Sequence, residues 1–212
     1  MTITETKLPG VYIIEPRVFG DTRGWFMETW HKLKTPQIDC EFVQDNHSFS
    51  AQQGTLRGIH FQYPPMEQAK LVRCVSGAIR DYAVDLRPDS GTYKQWICVE
   101  LSADNKKQLF IPRGFGHAFI TLTENAEVVY KADNYYSPEH DDAVLWSDPE
   151  IGIDWGSTQP TLSDKDKIAP LLKEVSLGAR ASRLQVSEKR VSDARVPGKA
   201  ESSATTSKEV SQ

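Results

Sequence analysis

The chain has 212 residues, 39% of them hydrophobic, enough for one substantial core and an appendage. A net charge of −4 excludes the bulk positive field behind non-specific binding to nucleic acid or anionic membranes, so an anionic ligand needs local arginines or lysines. Three cysteines without a CxxC pair, and no apolar run near the roughly 20 residues that span a bilayer, predict a soluble cytoplasmic protein with no membrane or nucleic-acid partner.

From about residue 10 to 156 the chain is a series of short β-like runs broken by turn residues. In order they are "GVYIIEP", "EFVQDNHSFS", "TLRGIHFQ", "KLVRCVSG", "AIRDYAVDLRP", "KQWICVELS", "KQLFIP", "HAFITLT" and "AEVVYKADNYY". Many short strands at close spacing predict an all-β sandwich or barrel. Alternation in "RDYAVDLR" puts Tyr82, Val84 and Leu86 on one face, for packing, and Asp81, Ala83 and Asp85 on the other, which is free to line a polar cavity. Cys74 and Cys98 sit in apolar runs, where free thiols pack as small hydrophobes.

Two segments break this pattern. "METWHKLKTPQ" is expected to hold a short helix, and "LSDKDKIAPLLKEV" opens with a Ser-x-x-Asp helix-cap signal. After residue 176 the composition turns to Ser, Ala, Lys, Arg and Glu with no aromatic residue, so one domain over 1–176 and a disordered tail over 177–212 are expected.

In "IPRGFGH", proline and two glycines shape a tight turn that delivers His117 to the next strand. The spacing Pro-x-Gly-x-x-His resembles the second motif of the cupin superfamily, whose members are double-sheet jelly rolls. A metal-binding cupin adds two histidines one residue apart, but the corresponding pair here is His60 and Gln62. An amide is a poor replacement for imidazole, and His31, His47 and His140 have no ligand-like spacing to that pair, so no metal is expected. For His60 itself two ordinary readings remain, a neutral core histidine or a base beside a cavity shared with His117, Lys70 and a tyrosine of "VVYKADNYY".

Over about residues 8 to 175 the stretches "EPRVFGDTRGWFMETW", "FVQDNHS", "LRGIHFQ", "QAKLVRCVSGAIRDYAVDLR", "GTYKQWICVELSADNKKQLFIPRGFGHAF", "YKADNYYSPEHD" and "DPEIGIDW" resemble the dTDP-4-dehydrorhamnose 3,5-epimerase family. The resemblance implies a cupin-like jelly roll with short peripheral helices. It also implies a cofactor-independent enzyme that inverts C3 and C5 of a dTDP-linked 4-keto-6-deoxyhexose, and a homodimer with exchanged N-terminal strands. A proton beside the C4 ketone is acidic, so the reaction needs a base, a stabiliser for the enolate oxygen and an acid on the opposite face. By resemblance these are His60 with its partner Asp166, then Lys70, then Tyr130. The same resemblance assigns Arg23 and Arg57 to the diphosphate, Glu28, Gln44 and Asn46 to the nucleotide, Tyr136 to stacking on the pyrimidine, and His117, Asp141 and Lys165 to further substrate contacts.

Some alternatives stay open on the residues alone. Arg57, three before His60, points to the other face of a regular strand, so either Gly58 introduces a bulge or Arg57 serves another subunit. His117 is as well suited to packing at a strand start as to touching substrate. Ala69, Arg80 and Arg113 depart from the family pattern and bear on cavity shape. A C3-only or C5-only epimerase, or a non-catalytic sugar-nucleotide-binding cupin, would carry much the same sequence.

Overall fold

The computed structural model describes residues 1–157, 159–175 and 177, so the predicted tail lies, apart from Leu177, outside the described residues. The described residues form thirteen strands: β1 (Thr2–Glu5), β2 (Tyr12–Glu15), β3 (Val18–Asp21), β4 (Gly24–Met27), β5 (Gln44–Ser50), β6 (Leu56–Gln62), β7 (Lys70–Ser76), β8 (Ala78–Asp85), β9 (Trp96–Ser102), β10 (Gln108–Ile111), β11 (Phe115–Thr121), β12 (Ala126–Ala132) and β13 (Asp141–Ala143). Every run read as a strand from sequence overlaps one of them. Strands β1, β3, β4 and β13 are additional.

Two antiparallel sheets form the jelly roll, one ordered β1-β2-β10-β7-β12-β5 and the other β13-β6-β11-β8-β9. Between them lies a core that includes Val72, Leu109, Ile111 and Val128 from the first sheet and Ile79, Ala83, Leu101, Phe115 and Phe119 from the second. Each outer face is also covered. Tyr82, Val84 and Leu86 pack with Val144, Ile151, Trp155 and Leu172 of the C-terminal segment, and Ile14, Leu71 and Phe110 pack with Ile38 and the flanking Trp30 and Phe42. Strands covered on both faces explain why several read as near-continuous apolar runs instead of clean alternation.

Three sequence expectations need correction. The "METWHKLKTPQ" segment forms only a 3₁₀ turn, Lys32–Lys34, because Thr35 leaves helical geometry and Pro36 lacks the N–H to continue. On β8, Ala83 joins the inter-sheet core, and Asp85 is taken up by Arg87, Ser90 and Thr92, so only Asp81 of that face serves a polar site. Cys98 is exposed, whereas Cys74 is buried; both, with Cys40, are free thiols. The helix predicted at "LSDKDK" is α1 (Asp164–Lys167), and its N-cap is Ser163, whose hydroxyl accepts from the Asp166 amide at 3.1 Å. Among the described residues no helix is long and apolar enough to cross a membrane.

Candidate active site

The site begins with an irregularity in β6. Leu56, Ile59 and Phe61 all enter the outer core, a spacing that strict alternation forbids. Gly58 resolves it. Its φ of +128° is open to glycine, a Cβ there would meet the Ala118 Cβ at 2.4 Å, and the β6–β11 register shifts at this point. The bulge lets Arg57 and His60 face inward together. Arg57 donates to Ser50 Oγ at 3.3 Å and to the Phe49 carbonyl at 3.0 Å, and its charge acts on Tyr130 of the same chain.

His60 donates from Nε2 to Asp166 Oδ1 at 2.6 Å, and the side chains are 33% and 3% exposed. The second carboxylate oxygen accepts from Ser163 Oγ at 2.8 Å. Burial alone would raise the Asp166 pKa, but the bonds from His60 and Ser163 outweigh it and hold the carboxylate below its ordinary range. With Nε2 committed, Nδ1 of His60 is the nitrogen left to accept a proton.

Across the cleft the six-stranded sheet presents Lys70 on β7 and Tyr130 on β12. The Lys70 ammonium lies 5.6 Å from the Tyr130 ring centroid, and burial lowers its pKa to about 8, with Asp141 and Asp81 pulling the other way. It therefore remains mostly cationic at neutral pH. Burial and Asp141 raise the Tyr130 pKa, with Arg57 opposing, so the phenol holds its proton.

His117 on β11 is the cross-strand neighbour of His60, and its ring centroid is 6.3 Å from that of Tyr130. His117 is buried, as the packing alternative requires, and it bonds within a polar cluster. Its Nε2 donates to Asp81 Oδ1 at 2.7 Å, while Asp81 Oδ2 is buried without a partner among the described residues. Desolvation pushes Asp81 up and His117 down, disfavouring the ionised form of each. Asp81 is the functional candidate that sequence reasoning passed over. Its only signal was its place on the cavity-facing side of "RDYAVDLR".

A second polar group lies beyond Tyr130. Gln44 donates to Asn46 Oδ1 and accepts from the Tyr136 amide, both at 3.0 Å, while Asn46 Nδ2 is buried with no hydrogen-bond partner among the described residues. The half-exposed Tyr136 donates its hydroxyl to Asp141 Oδ2 at 3.3 Å, and Lys165 forms an ion pair with the same carboxylate. Arg23 and Glu28 stand apart. Arg23, with its side chain 88% exposed, pairs with Asp21 in the β3–β4 hairpin, and Glu28 pairs with Lys34. Neither shares a hydrogen bond or ion pair with His60, Lys70, Tyr130 or Asp166.

No group of three or more His, Cys, Asp or Glu side chains arranged to hold a metal occurs among the described residues. The arrangement instead supplies a base with a fixed carboxylate on one wall and a cation and a neutral phenol on the other. That set suits proton removal beside a carbonyl and return of a proton from the opposite side.

The family model described as dTDP-4-dehydrorhamnose 3,5-epimerase matches residues 5–174. A Salmonella typhimurium protein of that name is 50% identical over 181 residues, covering 84% of this chain and 98% of its own length. A Bacillus anthracis enzyme of that name, solved with TDP and PPi bound, has a TM-score of 0.78 and 51% identity, covering 80% of this chain and 98% of that one. The dTDP-6-deoxy-D-glucose-3,5-epimerase of Legionella pneumophila, solved with dTDP-4-keto-L-rhamnose, has a TM-score of 0.79 and 41% identity, covering 82% and 94%.

Proposed function

The chain belongs to the dTDP-4-dehydrorhamnose 3,5-epimerase family, and from that premise we propose how its side chains divide the reaction. The enzyme is an isomerase acting on carbohydrate, with dTDP-4-dehydro-6-deoxy-D-glucose as substrate and dTDP-4-dehydro-L-rhamnose as product. The observation that carries this reading is that His117, the cross-strand neighbour of His60, stands with its ring 6.3 Å from that of Tyr130 on the other sheet, so the His60–Asp166 pair and the Lys70–Tyr130 pair belong to one cluster.

His60 Nδ1 takes the proton from the carbon beside the C4 ketone, and the C–H electron pair becomes the enolate. The imidazolium that results is stabilised by Asp166, already ionised and fixed by Ser163. Lys70 offsets the new charge on the enolate oxygen. Tyr130 then gives its phenolic proton to the other face of the carbon, and proton exchange through solvent restores both groups. The same sequence at C3 and at C5 inverts both centres. No cofactor enters, since the ketone already present supplies the acidity.

At the nucleotide end, Tyr136 stacks on the thymine, Gln44 and the unpartnered Asn46 Nδ2 offer polar contacts, and Arg57 faces the diphosphate. His117, Asp141 and Lys165 complete the substrate contacts. Incubation with dTDP-4-dehydro-6-deoxy-D-glucose in deuterated water tests the reading, and solvent deuterium should enter both C3 and C5. Label at neither position would overturn it; label at one alone would make this a mono-epimerase.

The enzyme acts as a homodimer with exchanged N-terminal strands. The β3–β4 hairpin pairs with no other strand among the described residues, and it exposes Phe19, Trp25 and Phe26 at 51%, 57% and 70%. A lone hairpin with so much apolar surface is marginal in water, and docking on a second copy would bury it while bringing Arg23 and Glu28 to that copy's site. Sedimentation should give a dimer for the wild type and a monomer of reduced activity for Phe26→Asp. A monomeric, fully active wild type would refute the exchange. Three free thiols suit a reducing compartment, and the cytoplasm is the proposed location.

A further inference from the structure

Gln62 occupies the strand position where a metal-binding cupin would carry its second histidine, and it has no part in the proposed proton transfers. Its carboxamide is buried and fully used. The Nε2 group donates to the Met66 carbonyl and, at 3.2 Å, to the Tyr135 carbonyl, while Oε1 accepts from the Ser137 amide at 2.7 Å. The bonds to Tyr135 and Ser137 grip the main chain on either side of Tyr136. The amide of Tyr136 itself goes to Gln44 at 3.0 Å.

Gln62 belongs to the five-stranded sheet and Gln44 to the six-stranded one, so two carboxamides on opposite walls hold one three-residue segment across the mouth of the roll. The segment has no ladder of its own, since the next strand starts at Asp141. Asp141, paired in register with Gln62, receives the Tyr136 hydroxyl. The main chain flanking Tyr136 is thus tied to β6, and its hydroxyl to β13, the strand paired with β6.

We propose that Gln62 is a positioning residue for the nucleobase. It acts through Tyr136, setting the height and tilt of the aromatic platform, and it makes no contact with the reacting sugar. The inference rests on the proposed stacking role of Tyr136. It also gives the glutamine a physical reason to stand where an imidazole would be a ligand: a carboxamide both donates and accepts, whereas a neutral imidazole cannot serve two carbonyls and an amide at once.

The test compares Gln62→Met, which keeps length and apolar packing, with Tyr136→Ala and the double variant, reading KM and kcat for the dTDP-sugar and inhibition by dTDP alone. Gln62→Met should raise KM and weaken dTDP by on the order of tenfold, as expected for buried hydrogen bonds lost from the segment, with the smaller part of the effect in kcat. In the Tyr136→Ala background the same change should add less than about twofold, because the platform it positions is gone. Should Gln62→Met be insoluble, Gln62→Leu, which likewise lacks both donor and acceptor, gives the same comparison. A raised KM for Tyr136→Ala with an unchanged KM for Gln62→Met, or full additivity in the double variant, would overturn the positioning role. An unchanged KM for Tyr136→Ala would instead overturn the stacking reading beneath it.

Discussion

His60→Ala is expected to lower kcat by roughly two to four orders of magnitude, the ordinary worth of a general base, and to abolish entry of solvent deuterium into recovered substrate. The expectation follows from geometry. Nε2 is committed to Asp166 at 2.6 Å, so Nδ1 is free to take the proton, and the carboxylate that must stabilise the imidazolium is 3% exposed and held by Ser163. His117 is a poor substitute, since desolvation lowers its pKa and its pairing is with Asp81. Asp166→Asn should show much of the same loss with the ring still in place, because an amide cannot balance an imidazolium. Turnover of His60→Ala within tenfold of wild type, in a protein with an unchanged melting temperature, would place the base elsewhere.

Tyr130→Phe is expected to reduce product formation over a similar range but to leave proton abstraction working. Phenylalanine keeps the ring beside Lys70 and His117 and removes only the donor. The carbanion formed by His60 would then be reprotonated on the face from which it came. His60 is about one-third exposed and can exchange its proton with solvent before returning it. Substrate recovered from deuterated water should therefore carry label with its configuration retained, a signature that separates loss of the acid from loss of the base. Two results would refute the assignment: continued inversion by Tyr130→Phe, or a block of exchange as complete as that of His60→Ala. The raised pKa of Tyr130 fits the donor role, since burial and Asp141 keep the phenol neutral until the enolate forms.

Much of the fold was legible because a half-buried or fully buried strand must be apolar on at least one face. The missed strands lacked that mark. Strand β13 has three residues, β3 and β4 hold two exposed glycine-containing pieces that pair only with each other, and β1 alternates weakly at a sheet edge. The α1 cap was legible because it is local, a serine three residues from the amide it satisfies. Cys98 was misread for the converse reason: an apolar run does not say which of its residues faces solvent.

The amino-acid sequence by itself determined the all-β class, the glycine–proline turn before His117, the helix start at Ser163 and, through family resemblance, which side chains are the candidates for chemistry. Only the tertiary structure decided how they meet. His60 and Asp166 are 106 residues apart, and no local pattern couples them until α1 docks against β6. The inward turn of Arg57 depended on a bulge that Gly58 permits but does not compel, and it took Ala118 on the neighbouring strand to leave no room for a side chain there. Asp81 and Gln62 looked like an alternating strand acid and a failed metal ligand. Contacts with His117 and with the Tyr136 segment, made across strands and loops, are what turned one into a buried partner and the other into a clamp. Short-range preferences set strand, turn and cap, whereas the face each residue presents and the pairing across the sandwich are settled by packing all strands into one core.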